Sequence, residues 1–146
     1  MAYGFKTVKL AGHHEVITKV VKSGTTIPKN DPVSLEDDTA IVSTTGLAIM
    51  GVAMQTVVGD GTLTIQIQCG VDIVYEVDND NDSNTFAGAG YGGGRYFDMI
   101  GTTGAVQIDT STSSASAGQV LCIDETPDSD DASLGLFKIN KAESQY

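Results

Sequence analysis

The sequence predicts an all-β fold: a small β-barrel or β-sandwich-like domain with an extended N-terminal arm and long Gly/Asx-rich loops. Three observations support it. Apolar and polar residues alternate in short runs, 17 glycines favour tight turns, and long helical periodicity is missing. A chain of 146 residues is about one ordinary domain and can enclose a hydrophobic core. We divide it into an arm at residues 1–12 and a single β domain at residues 13–146.

The first predicted strand follows a leading segment that has no clear pattern. Residues 1–10 show neither the helical nor the strand periodicity of apolar residues, which favours an extended arm. We expect the domain to fold without them. Apolar residues at positions 16, 17, 20 and 21 would also fit one face of a helix. β-Branched side chains crowd this segment and lose rotamer freedom in a helix, so residues 13–22 are predicted to form a strand.

The clearest strand signal lies in the middle of the chain. In Thr62–Cys69 every odd position is apolar and every even position is polar, the period of a half-buried strand. The turn-forming Gly59-Asp60-Gly61 precedes it, and the apolar Leu47–Met54 lies upstream. An Asp-Gly pair tolerates the backbone angles of a tight turn, so we interpret the two runs as a hairpin.

The other predicted strands are short and bounded by turn residues. Ser111–Gly118 is interpreted as one of the connecting segments, and the spacing of such segments suits a barrel or a sandwich. The remaining strands are predicted at Ala40–Ser43, Val71–Val77, Arg95–Ile100, Ala105–Asp109, Gln119–Ile123 and Leu134–Ile139.

Charge is distributed unevenly along the chain. The 19 acidic and 8 basic residues give a net charge of −11, the wrong sign for a protein that binds a nucleic-acid backbone. Residues 1–30 nevertheless contain five lysines and one glutamate, a net charge of +4, which leaves −15 on the rest. A basic leading segment on an acidic body suits docking onto an acidic neighbour, and the alternative is a solvated lysine face on an early strand.

Neither a membrane nor a redox site is expected. The sequence has no run of 18 apolar residues and no basic-then-apolar leader, so we expect a soluble protein made in the cytosol, with no membrane partner. Cys69 and Cys122 each lie in an apolar run, without the spacing of a zinc site or a redox pair. Both are predicted to be buried thiols.

An Asx-rich segment resembles the start of a calcium-binding loop. Carboxylates alternate through Asp78–Asn84, which suits a hard cation. The sixth position is Ser83 instead of the glycine that the turn needs, and the twelfth is Ala89 instead of a bidentate glutamate. We therefore expect a solvated loop, and calcium binding through Asp78, Asp80 and Asp82 remains an alternative.

Two further patterns resemble parts of a nucleotide-binding or metal site, but each is incomplete. Gly88, Gly90 and Gly93 have the spacing of a dinucleotide-binding loop, but an acidic segment precedes them and a predicted strand follows. The two histidines, His13 and His14, are adjacent and would point to opposite faces of a strand. We predict no enzyme activity, no catalytic residue, no cofactor and no metal site.

The order of turns and strands in the first half of the chain resembles a known family. The series looks like the head decoration, or capsid cement, proteins of tailed bacteriophages. It consists of Gly24–Leu35, Ala40–Val42, Ile49–Ala53, Gly61 and Ile65–Gly70. Such proteins often have a Gly-Asp-Pro-Val turn where this chain has Asn30-Asp31-Pro32-Val33. Asparagine also adopts left-handed conformations, so Asn30 is compatible with that turn.

The resemblance implies a structural virion protein on the capsid exterior, made in the host cytoplasm, that binds the major capsid protein and stabilises the assembled head. It also implies that the protein is often a trimer, and long glycine-rich loops that pack against a neighbour favour a homotrimer over a monomer. The arm is the predicted anchor, because it combines aromatic and basic residues at Tyr3, Phe5, Lys6 and Lys9. Alternative functions are a phage tail or baseplate subunit, an adhesive fibre module, or a calcium-binding β domain.

Overall fold

The computed structural model describes residues 4–80, 94–125 and 134–146. Within these ranges the chain forms thirteen strands and one short 3₁₀ helix, Lys141–Glu143. The prediction of an all-β fold is confirmed. The choice between a barrel and a sandwich stays a prediction. No helix in the described ranges is long and apolar enough to cross a membrane.

The larger of two main sheets has six strands in the order β1-β9-β13-β12-β10-β11, all paired antiparallel. It combines the beginning of the chain with its second half, so most of its pairings are distant in sequence. In chain order the strands are β1 Lys6–Lys9, β9 Val74–Asp78, β10 Tyr96–Ile100, β11 Gln107–Ser114, β12 Val120–Glu125 and β13 Leu134–Ile139.

The second sheet has five antiparallel strands in the order β2-β8-β6-β4-β5, and a separate two-stranded ribbon joins β3 to β7. All seven strands come from the first half of the chain. They are β2 Glu15–Val20, β3 Thr26–Ile27, β4 Pro32–Glu36, β5 Thr39–Val42, β6 Gly51–Ala53, β7 Val57–Val58 and β8 Thr64–Cys69.

Alternation correctly predicted the central strand. Along β8 the side chains at Ile65, Ile67 and Cys69 are buried, whereas Thr64 and Gln66 are exposed. The ambiguous segment at residues 13–22 contains strand β2, as its β-branched residues predicted.

The predicted hairpin is correct in its pairing but not in its connection. β6 pairs antiparallel with β8, but β7 intervenes and pairs with β3 instead. The Asp60 carboxylate shapes the last turn, where it accepts hydrogen bonds from the Thr62 and Leu63 amides at 2.8 Å each. These bonds lower the pKa of the Asp60 carboxyl.

Part of the expected loop at Ser111–Gly118 is strand. β11 extends to Ser114 and pairs with β10 through a register shift between Tyr96 and Asp98. At this irregularity the Asp98 amide donates to the Thr112 hydroxyl at 2.8 Å. A side-chain oxygen thus accepts a bond at a break in the ladder, so a serine- and threonine-rich segment can remain in the sheet.

The N-terminal segment also differs from an extended arm in its described part. Lys6–Lys9 pair with β9 as the terminal strand of the six-stranded sheet. Phe5 is fully buried and lies edge-to-face with Tyr75, with ring centroids 5.5 Å apart. Since Phe5 fills part of the core, the expectation that the domain folds without residues 1–10 conflicts with the packing.

One hydrophobic core is shared by the two main sheets. It includes Ile65 and Ile67 from β8 together with Phe97 and Phe137 from β10 and β13. The two phenylalanine rings meet edge-to-face at 6.0 Å. The prediction that both cysteines are buried is confirmed, because the Cys69 and Cys122 side chains lie fully inside this core.

Candidate binding surface

A groove lies where β1 approaches the turn before β4 and the outer part of β6 and β8. We call it the basic groove, because two exposed lysines line it. It encloses about 430 Å³, which falls in the range of roughly 300–1,000 Å³ typical of ligand pockets. Its main lining residues are Lys6, Thr7, Lys29, Asn30, Met54 and Gln68.

The turn at Asn30 holds one wall of the groove. Asn30 has a left-handed backbone with φ of 74°, as expected for an asparagine in the place of a turn glycine. Its carbonyl accepts a hydrogen bond from the Phe5 amide at 2.7 Å, and its own amide donates to the Ala53 carbonyl at 2.9 Å. One residue therefore fixes both the start of β1 and the end of β6.

Asp31 fastens the same turn to the segment between β10 and β11. Its carboxylate accepts a hydrogen bond from the Gly104 amide at 2.8 Å, and the residue is only 2% exposed. Burial raises the pKa of the Asp31 carboxyl, and the bond from Gly104 partly opposes that effect. The Gly4 amide donates to the Val106 carbonyl, two residues after Gly104, so Gly4 and the Asp31 turn are anchored to the same segment.

The floor of the groove is apolar and its mouth is polar. Val52 and Ala53 are buried, whereas Met54 is 38% exposed. The Thr7 hydroxyl donates to the Gln68 side-chain oxygen at 3.0 Å. The groove therefore offers aliphatic surface below and hydrogen-bonding groups above, the combination that binds an amphipathic side chain.

The structure divides the five N-terminal lysines into two groups. Lys19 and Lys22 pair with Asp38 and Glu36 of the β4–β5 hairpin. In the described part of the chain no ion pair involves the other three, which are Lys6, Lys9 and Lys29. The free positive charge of the leading segment is thus concentrated at β1 and the Asn30 turn.

One acidic residue faces this surface from the same sheet. Glu76 on β9 is the register partner of Lys6, so both side chains lie on the same face of the ladder. The two are not joined by an ion pair within 4.0 Å in the described structure. Glu76 reduces the local positive potential but does not form an ion pair with Lys6 in the described structure.

The four residues predicted as the anchor have different positions. Tyr3 lies outside the described residues, and Phe5 faces the core, so its ring cannot contact a partner in this structure. Lys6 lines the basic groove, whereas Lys9 is exposed on the same strand but does not line it. Capsid binding by these residues stays a prediction.

The sequence did not predict that the other groove residues lie next to the N-terminal strand. Lys29 contributed to the uneven charge distribution, and Asn30 belonged to the predicted turn. Neither observation predicted that these residues lie beside Lys6. Gln68 had appeared only as a polar position of an alternating strand. The connection depends on packing between segments more than 20 residues apart, which local patterns do not encode.

The predicted calcium loop is only partly described. Asp80 directs one carboxylate oxygen at both the amide and the hydroxyl of Thr110, at 3.0 Å each. Asp78 is buried, and one of its carboxylate oxygens accepts from the Asn79 amide at 2.9 Å. Asp82 and the glycine motif at Gly88, Gly90 and Gly93 lie outside the described residues. Across the described ranges no three His, Cys, Asp or Glu side chains converge as metal ligands.

The thiols and imidazoles occupy contrasting environments. Burial, aided by the nearby Glu15 carboxylate, raises the pKa of the Cys69 thiol to about 12. A thiol with so high a pKa stays protonated at neutral pH and is a poor nucleophile. His13 and His14 are both exposed before β2, and the His13 ring stacks on Tyr146 at a centroid distance of 6.1 Å.

Comparison with known proteins adds no family assignment. No family model matches the chain, and no curated protein resembles it significantly. The likeness to head decoration proteins therefore remains a prediction from the residues quoted above.

Proposed function

We propose that this chain is a structural virion protein that binds the outer surface of a tailed-bacteriophage head and stabilises the assembled shell. The observation that carries the proposal is the basic surface at β1 and the Asn30 turn. Three lysines there lack ion pairs in the described structure, on a chain whose net charge is −11. Such a surface suits docking to an acidic protein neighbour.

The turn that carries the family resemblance supports the same proposal. The Asn30 carbonyl accepts from the Phe5 amide just before the first strand, and the Asp31 carboxylate accepts from the Gly104 amide. The turn that resembles the Gly-Asp-Pro-Val turn of decoration proteins therefore also supports the exposed basic surface. The acidic remainder of the chain would keep the outer face hydrated and soluble at high copy number on a shell. Repeated weak contacts on a lattice can then sum to stable attachment.

We also propose that the protein acts as a homotrimer on the major capsid protein. A threefold assembly would bring three basic surfaces to one lattice position and multiply their effect. Exposed apolar side chains on or next to the first two strands offer further contact area; they are Val8, Leu10 and Val16.

Co-sedimentation tests the proposed function directly. Purified chain is mixed with heads of the phage whose genome encodes it, after removal of any resident copies, and bound protein is measured against input. We expect saturable binding at a fixed number of copies per head and greater resistance of decorated heads to heat. Binding to tails alone, or none to heads at any concentration, would contradict the proposal.

A further inference from the structure

We infer that the basic groove is a subsite for carboxylate side chains, and that it receives an acidic extended segment of the protein on which the chain docks. The inference rests on the proposed function for the identity of that protein, because the groove itself specifies only the chemistry of the segment. Lys6 and Lys29 supply the charge, Thr7 and Gln68 supply hydrogen-bonding groups, and Val52 and Met54 supply the apolar surface.

Charge is the first argument for an acidic occupant. Lys6 and Lys29 approach the same groove from different segments, and neither forms an ion pair in the described structure. Lys19 and Lys22, by contrast, each form an ion pair with a carboxylate of this chain. Two lysines left without such partners around one groove make it complementary to a group that carries the opposite charge.

The shape and lining of the groove are the second argument. Glutamate and aspartate reach their carboxylates through methylene groups, which would pack on Met54 and the apolar floor while the charge remains at the lysines. The groove is open at the surface, since Lys6, Lys29 and Met54 are all exposed. An extended segment can therefore lie across it without rearrangement of the core.

The rigidity of the walls is the third argument. The Asn30 backbone is held by hydrogen bonds to Phe5 and Ala53, and the buried Asp31 ties the turn to Gly104. Residues that are fixed before binding lose less conformational entropy when a ligand arrives. The groove is thus built to keep Lys6 and Lys29 near one another.

The test uses a fluorescein-labelled eight-residue peptide of alternating Glu and Val as the probe, with a Gln-Val peptide of the same length as its uncharged counterpart. Binding to the full-length chain is followed by fluorescence anisotropy at low salt. We expect the Glu-Val peptide to bind at least tenfold more tightly than the Gln-Val peptide. Equal affinities would overturn the inference.

Position within the groove is tested with matched charge reversals. Lys6→Glu and Lys29→Glu are expected to weaken binding of the Glu-Val peptide at least tenfold. Lys9→Glu makes the same change on the same strand but outside the groove, and we expect less than a twofold loss. An equal loss in Lys9→Glu would show general attraction to the basic segment and would overturn the assignment to the groove.

Two measurements keep the result interpretable. Lys6→Gln avoids new repulsion from Glu76, and Lys29→Gln is the matching neutral change at the second lysine. Circular dichroism with thermal unfolding establishes that each variant is folded. A folded Gln variant that binds the peptide as well as the unaltered chain would also overturn the inference. Inorganic phosphate is tested as a competitor, and complete displacement at low millimolar phosphate would assign the groove to small anions instead.

Head binding by the same variants separates the inference from the proposed function. Loss of both peptide and head binding in Lys6→Gln and Lys29→Gln would support the inference. If these variants still bind heads at full occupancy, the acidic-segment subsite is wrong while capsid decoration stands. If the unaltered chain binds the Glu-Val peptide but no heads, the proposed function fails and the acidic segment must belong to another protein.

Discussion

Asp31 combines a structural role with an unfavourable environment. Its carboxylate holds the Gly104 amide, but burial raises its pKa above the ordinary value of 3.8. The folded chain therefore binds the Asp31 proton more tightly than the unfolded chain does. This contribution to stability is complete below the ordinary pKa and is lost as pH rises through the raised one.

Replacing Asp31 by Asn would remove this titration and preserve an oxygen that accepts from Gly104. We expect the stability of Asp31→Asn, relative to the unaltered chain, to increase as pH rises from about 4 towards 7, because only the unaltered chain must ionise a buried group. Urea unfolding at several pH values measures the difference. A difference that stays constant over this range would show that burial of the charge costs nothing.

Gln119 is a second buried polar residue whose partners are distant in sequence. Its amide nitrogen donates to the Thr44 and Leu47 carbonyls at 2.9 and 2.6 Å, and its oxygen accepts from the Met99 amide at 3.0 Å. We expect Gln119→Leu to lower the free energy of unfolding by roughly 2–4 kcal/mol, since backbone groups in a buried site lose their partner.

The matched control for Gln119 is Gln66→Leu, the same chemical change at an exposed position of β8. We expect this control to alter stability by no more than about 0.5 kcal/mol, as is usual for a surface site. Chemical unfolding of both variants provides the comparison. Similar losses in the two would mean that the hydrogen bonds of Gln119 contribute little.

Residue-scale prediction from sequence succeeded where the cause was local. The left-handed backbone at Asn30 could be expected because asparagine tolerates that conformation in a turn. The burial of Asp31 and Gln119 could not, since their partners lie on other segments and only the folded chain brings them together.

At the level of elements, the Phe5 side chain attaches β1 to the core. Phe5 is fully buried against Tyr75, directly before a strand whose own four residues are exposed. We expect Phe5→Ala to lower the free energy of unfolding by roughly 3–5 kcal/mol, the usual cost of removing a buried aromatic ring. It would also loosen β1 and thereby weaken the basic groove.

The control for this element is Val8→Ala on β1, where the side chain is 53% exposed. It removes apolar atoms from the same strand without opening a core cavity, so we expect a loss below about 1 kcal/mol. Hydrogen exchange of the β1 amides is measured in both variants. Protection of β1 that is unaffected by Phe5→Ala would contradict the role given to the phenylalanine ring.

Strand prediction depended on how well each element follows its pattern. β8 has strict alternation and was predicted nearly to its ends, and β13 was predicted at Leu134–Ile139 as observed. β1 has no apolar alternation, and its pairing with β9 was therefore not foreseen. β11 is rich in serine and threonine, which resembles a loop when the neighbouring strand is unknown.

For the whole molecule, composition predicted the all-β class but not the strand order. The six-stranded sheet unites β1 with strands more than 60 residues away, and such pairings are fixed by the shared core and not by local sequence. The candidate site shows the same limit. Charge identified the basic segment, and only the packing separated the lysines paired with Asp38 and Glu36 from those left around the groove.

Capsid decoration can be tested by a cryo-electron microscopy reconstruction of intact virions of the phage that encodes the chain. We expect density for this domain on the outside of the head, with three copies at each occupied position and the β1 surface towards the shell. Density for the chain in the tail or baseplate, or heads without it, would contradict capsid decoration.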